Sequence, residues 1–211
     1  MAQTKRTYWD TFDTSYQMGP QKHRLYILEL FKRHGVTSLL DVGCGTGPIY
    51  EIIINDERWD NITDYKGVDY SWAMIDVAQR QFGTGKWEVE DARSLSEKDN
   101  SWDCVVLMHC LDHLDDYQSA IREAARVAKK YVCIVLWRSF VDGRMNHLND
   151  RNMYGKQEGE DPWEDTHLQE YSRELLEEEF EKDGLKIVVA ENGEEVNDPG
   201  KYNFVYLLEK I

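Results

Sequence analysis

The run Leu39-Leu40-Asp41-Val42-Gly43-Cys44-Gly45-Thr46-Gly47 constrains this chain more than any other stretch. Its leucines and valine read as a short buried strand with an acid inside it, and three glycines then alternate with small residues. Glycine has no Cβ, so such a loop turns tightly and brings its backbone close to a ligand. Pro48 suits a first helical turn, and Ile49, Ile52 and Ile53 carry an apolar helical face forward. Strand, glycine loop and helix in this order open a nucleotide-binding α/β domain. The loop is G-x-G-x-G, one residue tighter than the dinucleotide fingerprint G-x-G-x-x-G, and both a dinucleotide and another nucleoside cofactor remain open at this point.

With 211 residues the chain is long enough for one domain with a full core, and we expect a single domain over 1–211. Hydrophobic residues at 41% and charged residues at 31% fit a globular protein in water. No apolar run approaches a membrane span, and Met-Ala-Gln-Thr-Lys-Arg at the N-terminus has no signal-peptide core, so no membrane partner is expected. Cysteines 44, 104, 110 and 133 form no C-x-x-C pair, which points to a reduced, cytoplasmic protein. The net charge is −15, and between Glu158 and Asp198 there are 16 acids against 3 bases. Such a surface repels phosphate backbones and argues against nucleic acid as a partner. A solvated acidic face is the plain explanation, with a protein contact or a cationic substrate as the alternatives.

Along the chain, residues 1–20 hold Tyr8, Trp9, Phe12 and Tyr16 and read as an arm laid over the domain; with the helix that follows, 1–35 forms a candidate lid. Gln21–His34 is predicted helical, with Leu25, Leu28 and Phe31 on one stripe and Gly35 as its stop. Strands are expected at Ser38–Val42, Asp64–Asp69, Lys86–Glu90, Cys104–Met108 and Tyr131–Trp137. Helices are expected at about Pro48–Asn55, at Trp72–Gln81 capped by Ser71, and at Tyr117–Ala128 with Lys129 and Lys130 at its negative end. The alternation implies a mainly parallel sheet with helices on both faces. Ser139–His167 breaks the rhythm as a long polar insertion, expected near the acceptor site. Ser172 caps a further helix with Leu175, Leu176 and Phe180 inside and Gly184 at its end; Leu185–Ala190 and Tyr202–Glu209 close the sheet.

Two more strand ends carry acids. Gly67-Val68-Asp69-Tyr70-Ser71 places Asp69 where an open α/β sheet keeps its ribose acid, whichever nucleoside cofactor binds. The third strand ends in Glu90-Asp91-Ala92-Arg93, and the fourth runs into Met108-His109-Cys110-Leu111-Asp112-His113-Leu114. Asp69 and Asp91 also have ordinary readings as turn or cap residues.

Taken with Asp41 and the glycine loop, these segments resemble the class I S-adenosylmethionine-dependent methyltransferases, whose first motif is D-x-G-x-G-x-G, over about residues 36–137. The small, metal-independent, type 11-like members are the most similar in style. The resemblance implies an α/β, Rossmann-like, doubly wound sheet of seven strands in the order 3-2-1-4-5-7-6, with strand 7 antiparallel. It also implies S-adenosyl-L-methionine as cofactor. The donor pocket it implies is built from Asp41, Gly43, Cys44, Gly45 and Gly47 of the loop, with Asp69, Tyr70, Met74, Asp91, Ala92 and Met108. In that pocket Asp69 accepts from the ribose hydroxyls and Asp91-Ala92 reads adenine. The fold itself names no acceptor.

Methyl transfer asks the protein for alignment at about 3 Å and, for a hydroxyl, removal of a proton. His109 and His113 are the candidate bases, although a histidine at position 113 also has a packing role open to it. Shared metal binding by these two is disfavoured because no further ligand motif accompanies them. Tyr8, Trp9, Phe12, Tyr16, Trp137 and Arg138 are candidates for the acceptor site, where aromatic faces suit a flat ring or a cationic amine. A small-molecule acceptor methylated at oxygen or nitrogen is the leading expectation, for a monomer or homodimer. A protein or RNA acceptor, or a non-catalytic donor-binding subunit, are the alternatives.

Overall fold

The computed structural model describes residues 10, 22–137, 140, 146–148, 168–192 and 203–211. Among them a seven-stranded sheet runs in the order β3-β2-β1-β4-β5-β9-β8. Its strands are β1 (Ser38–Val42), β2 (Asp64–Asp69), β3 (Trp87–Val89), β4 (Trp102–Met108), β5 (Ala128–Leu136), β8 (Leu185–Asn192) and β9 (Phe204–Lys210). The first five pair in parallel, while β9 is antiparallel to both β5 and β8. Counted within this sheet alone, the order is the 3-2-1-4-5-7-6 that the family resemblance implied, with strand 7 antiparallel.

The central strands are mostly apolar because both of their faces are covered. Alternate residues serve opposite layers. Leu40, Val42, Val105, Leu107, Val132 and Ile134 pack with α4 (Tyr117–Val127) and α5 (Arg173–Lys182) through Ile121, Ala124, Leu176 and Phe180. Leu39, Cys104, Val106, Cys133 and Val135 face α1 (Lys22–Arg33), α2 (Pro48–Asn55) and α3 (Trp72–Phe82), meeting Ile27, Phe31, Ile49, Ile75 and Ala78. The period of two in the strands thus builds two cores, one on each side of the sheet.

Ser71 caps α3 by accepting the Met74 N–H at 3.3 Å, as its position predicts. Three expectations shift. The inner face of α1 is Ile27, Leu28, Leu30 and Phe31 together with His23 and Arg24, whereas Leu25 is only half-buried. Leu175 is 39% exposed, because α5 turns Leu176 and Phe180 inward and leaves their neighbour at the rim. The fourth helix ends at Val127 and β5 begins at Ala128, so Lys129 and Lys130 open a strand instead of closing a helix. Pairing of Ala128 with Trp102, ahead of a register shift in β4, claims those residues for the sheet.

The insertion also holds structure. The strands β6 (Asn146–Leu148) and β7 (Leu168–Glu170) pair antiparallel, with Leu148 opposite Leu168. Three-residue strands carry too little periodicity to be read from sequence.

Candidate functional site

The glycine loop is fastened to the strand ends by its own backbone. Gly43, Gly45 and Gly47 have φ of 77°, 55° and 86°, the left-handed region that glycine enters without strain. The N–H groups of Gly43 and Cys44 both donate to the Val68 carbonyl, at 2.8 and 3.0 Å. A Cβ on Gly43 would lie 3.0 Å from the Cys110 side chain, and one on Gly47 would lie 2.5 Å from the Trp87 ring. These two glycines therefore admit neighbouring side chains as well as unusual backbone.

Asp69, at the end of β2, is the fixed point of the loop. Gly45 N–H donates to its Oδ2 at 2.8 Å and Ser71 N–H to its Oδ1 at 2.9 Å. Burial raises its pKa; the two backbone bonds act against that, and the charge of Asp10 adds to it. Each carboxylate oxygen has two acceptor sites, so each keeps one after its backbone bond. That spare pair fits the two hydroxyls of a ribose. Asp10 itself accepts the Ser71 hydroxyl at 2.6 Å and so lies at this corner.

Asp91 follows β3 and is clamped by Arg93, whose backbone N and Nε donate to Oδ1 at 2.9 Å and whose second guanidinium nitrogen donates to Oδ2 at 2.7 Å. Burial opposes ionisation of Asp91, yet the Arg93 bonds outweigh it and hold the carboxyl below its usual range. Three of about four acceptor sites are filled, and the one left on Oδ2 fits a single amine hydrogen such as that of adenine. Ala92 beside it is buried.

Asp41 lies deeper, at 1% exposure, and accepts the Tyr65 hydroxyl at 2.8 Å. Burial pushes its pKa up to about 7, with the Tyr65 bond and the Arg24 charge pulling down and Asp69 pushing further up. Cys44 is buried, its sulfur 2.9 Å from where a Cβ on Gly67 would sit. Met74 and Met108 are buried as well, and Tyr70 is half-buried.

The end of β4 presents His109 in a left-handed conformation, φ 54°, with its N–H on the Val135 carbonyl at 2.8 Å. Its Nε2 lies 2.8 Å from Asn203 Oδ1. The ring stacks on Trp137 at 5.9 Å and meets the His23 ring at 5.1 Å. Burial lowers the His109 pKa to about 3, helped by the positive character of His23 and Arg24 and opposed by Asn203. His109 is thus a neutral imidazole and a weak base. His113 ends the single turn Leu111–His113, half-buried, so the two histidines do not share a regular helix face. Asp112 is buried and accepts the Trp137 N–H at 3.3 Å.

The structure therefore brings Asp69, the loop, Ser71 and Asp10 together at one corner, and His109 with Trp137 at another. Tyr8, Trp9, Phe12, Tyr16 and Arg138 lie outside the described residues. Sequence reasoning missed His23, Arg24, Arg93 and Asn203. Arg93 alone had a local cue, a cation two residues beyond an acid. Among the described residues no three His, Cys, Asp or Glu side chains gather in a way that could hold a metal, and no helix is long and apolar enough to cross a membrane.

The chain is 30% identical over 132 residues to the ubiquinone/menaquinone biosynthesis C-methyltransferase UbiE of Desulfotalea psychrophila, covering 60% of this chain and 52% of that one. It is 30% identical over 105 residues to ajmaline N-methyltransferase of Rauvolfia serpentina, covering 47% of this chain and 35% of that one. The chain thus spans about half, or less, of the length of these curated relatives. The solved structure of CalS10, an amino pentose methyltransferase from Micromonospora echinaspora, shares the fold with a TM-score of 0.66 at 15% identity, over 94% of this chain and 95% of that one. A family model described as a methyltransferase domain matches residues 15–190, and by that match over most of its length the chain belongs to the methyltransferase-domain family.

Proposed function

We propose that this protein transfers a methyl group from S-adenosyl-L-methionine to a nitrogen or oxygen of a small molecule. The observation that carries the donor reading is the pair of strand-end acids: Asp69, bonded to the Gly45 N–H and keeping one acceptor site on each oxygen, and Asp91, clamped by Arg93 with one site left on Oδ2 beside the buried Ala92. When bound, S-adenosylmethionine supplies an electrophilic methyl group on a sulfonium. Asp69 would hold the ribose, and Asp91 with Ala92 would read adenine. Asp41, near the end of β1 just before the loop, would offer a partly ionised carboxyl to the cationic sulfonium. His109 and Trp137 would line the acceptor side, with His113 at the end of the turn that follows β4 in the chain.

An amine acceptor fits this site better than an alcohol. A group titrating near 3 is a poor proton acceptor at neutral pH, and an amine in its free-base form attacks without one. The acidic segment from Glu158 to Asp198 supports a small or cationic acceptor over a nucleic acid.

Calorimetry with S-adenosylhomocysteine and NAD tests the cofactor; binding of NAD alone overturns the reading. Labelled S-adenosylmethionine offered to metabolite pools and to macromolecular extracts then tests the acceptor. Label in protein or RNA favours a macromolecular substrate. Tight donor binding with no transfer to any pool favours a non-catalytic donor-binding subunit.

A further inference from the structure

His109 is held from four directions. Its backbone N–H is taken by Val135, its ring lies against Trp137 and His23, and its Nε2 meets Asn203 Oδ1 at 2.8 Å. Asn203 is 9% exposed and directly precedes β9. The antiparallel register that pairs Leu136 with Phe204 brings Trp137 and Asn203 out at the same edge of the sheet, so one rung delivers both to the imidazole. A neutral imidazole has one donor nitrogen and one acceptor nitrogen. An amide oxygen accepts only. For Oδ1 to sit against Nε2, that nitrogen must carry the hydrogen, and the lone pair is left on Nδ1.

We propose that Asn203 is a positioning residue that selects the tautomer of His109, holding the proton on Nε2 so that the Nδ1 lone pair accepts a hydrogen bond from the N–H or O–H of the molecule being methylated. This rests on the reading of the His109 side as the acceptor site. An amine needs no base for attack, but its lone pair must point along the line of transfer, and a fixed acceptor for its N–H sets that direction. Asn203 touches no reacting atom; it acts through the imidazole. The left-handed backbone at His109 costs strain for a non-glycine residue, and the bonds to Val135 and Asn203 hold the residue in that conformation.

The test is a long-range proton–nitrogen correlation spectrum of the protein labelled with ¹⁵N-histidine, bound to S-adenosylhomocysteine at neutral pH. His109→Gln assigns the signal. The expected pattern is a protonated Nε2 and an unprotonated Nδ1. Asn203→Asp keeps that tautomer and raises the His109 pKa by about one, as a carboxylate beside an imidazole does. Asn203→Leu releases the tautomer, and both forms then exchange; where that variant fails to fold, Asn203→Asp carries the test. With the acceptor found by the labelled-methyl screen, Asn203→Leu lowers kcat about tenfold while the donor KM stays within about twofold. A wild-type His109 protonated on Nδ1, or a tautomer and pKa unmoved in both variants, overturns the proposal. A screen that finds no acceptor overturns the methyl-transfer reading, and the role of Nδ1 with it, even where the Nε2 proton is as expected.

Discussion

Asp69 spends half of its acceptor capacity on the protein's own backbone before any ligand arrives. Its bonds to Gly45 and Ser71 hold the loop and the start of α3 in place, so ligand binding need not order them first. Asp69→Ala should therefore weaken S-adenosylhomocysteine by about 2–3 kcal/mol, read by calorimetry, and also lower stability by about 1 kcal/mol, read by thermal melting. An unchanged affinity in the folded variant would make the residue purely structural. Gly47→Ala makes a separate prediction. The new methyl would sit 2.5 Å from the Trp87 ring at a φ of 86°, and the expected loss of stability is about 1–3 kcal/mol. At this scale, residues whose cue was local were legible: the glycines, Asp69 after its strand, Asp91 after the next. His23, Arg24 and Asn203 were not, because each reaches the site from an element distant in sequence and carries no spacing of its own.

Elements were legible where their pattern ran long. β1, β2, α2 and α3 lie where apolar period, Ser71 and Pro48 put them. The boundary between α4 and β5 was missed because Lys129 and Lys130 suit a helix end, while the β4–β5 ladder overrides that preference. The N-terminal segment is the element with the most direct test. Asp10 accepts the Ser71 hydroxyl and lies close enough to raise the pKa of Asp69. Deleting residues 1–18 removes that contact and the aromatic arm together. We expect S-adenosylhomocysteine affinity to fall about three- to tenfold, and acceptor turnover to fall further. Full turnover in the truncated protein would refute an N-terminal cover and leave the 139–167 segment as the candidate.

For the whole molecule, two imidazoles in ring contact, His23 buried and His109 half-buried, set an acid limit. The pKa of His23 is lowered to about 4 by burial and the Arg24 charge, and that of His109 to about 3. Unfolded histidine titrates near 6.5, so below that pH the unfolded chain takes up protons that the native one refuses. Their contribution is complete above about pH 6.5 and drains away as pH falls toward 3. Asp41, raised to about 7, works in the other sense: its folded form binds the extra proton between about pH 4 and 7, and stability falls as pH rises through that range. His109→Gln should accordingly flatten the acid limb by an amount on the order of 1–2 kcal/mol at pH 4, measured by denaturant unfolding across pH. An acid limb identical to the wild type would remove His109 from this account. The short ladder of β6 and β7 matters at this scale too. With Leu148 opposite Leu168, the two ends of the 149–167 stretch are held side by side, so the entropy of closing that loop is met by its own gatepost. A change in the length of the 149–167 stretch is therefore expected to leave the register of the main sheet, and with it the donor corner, as it stands.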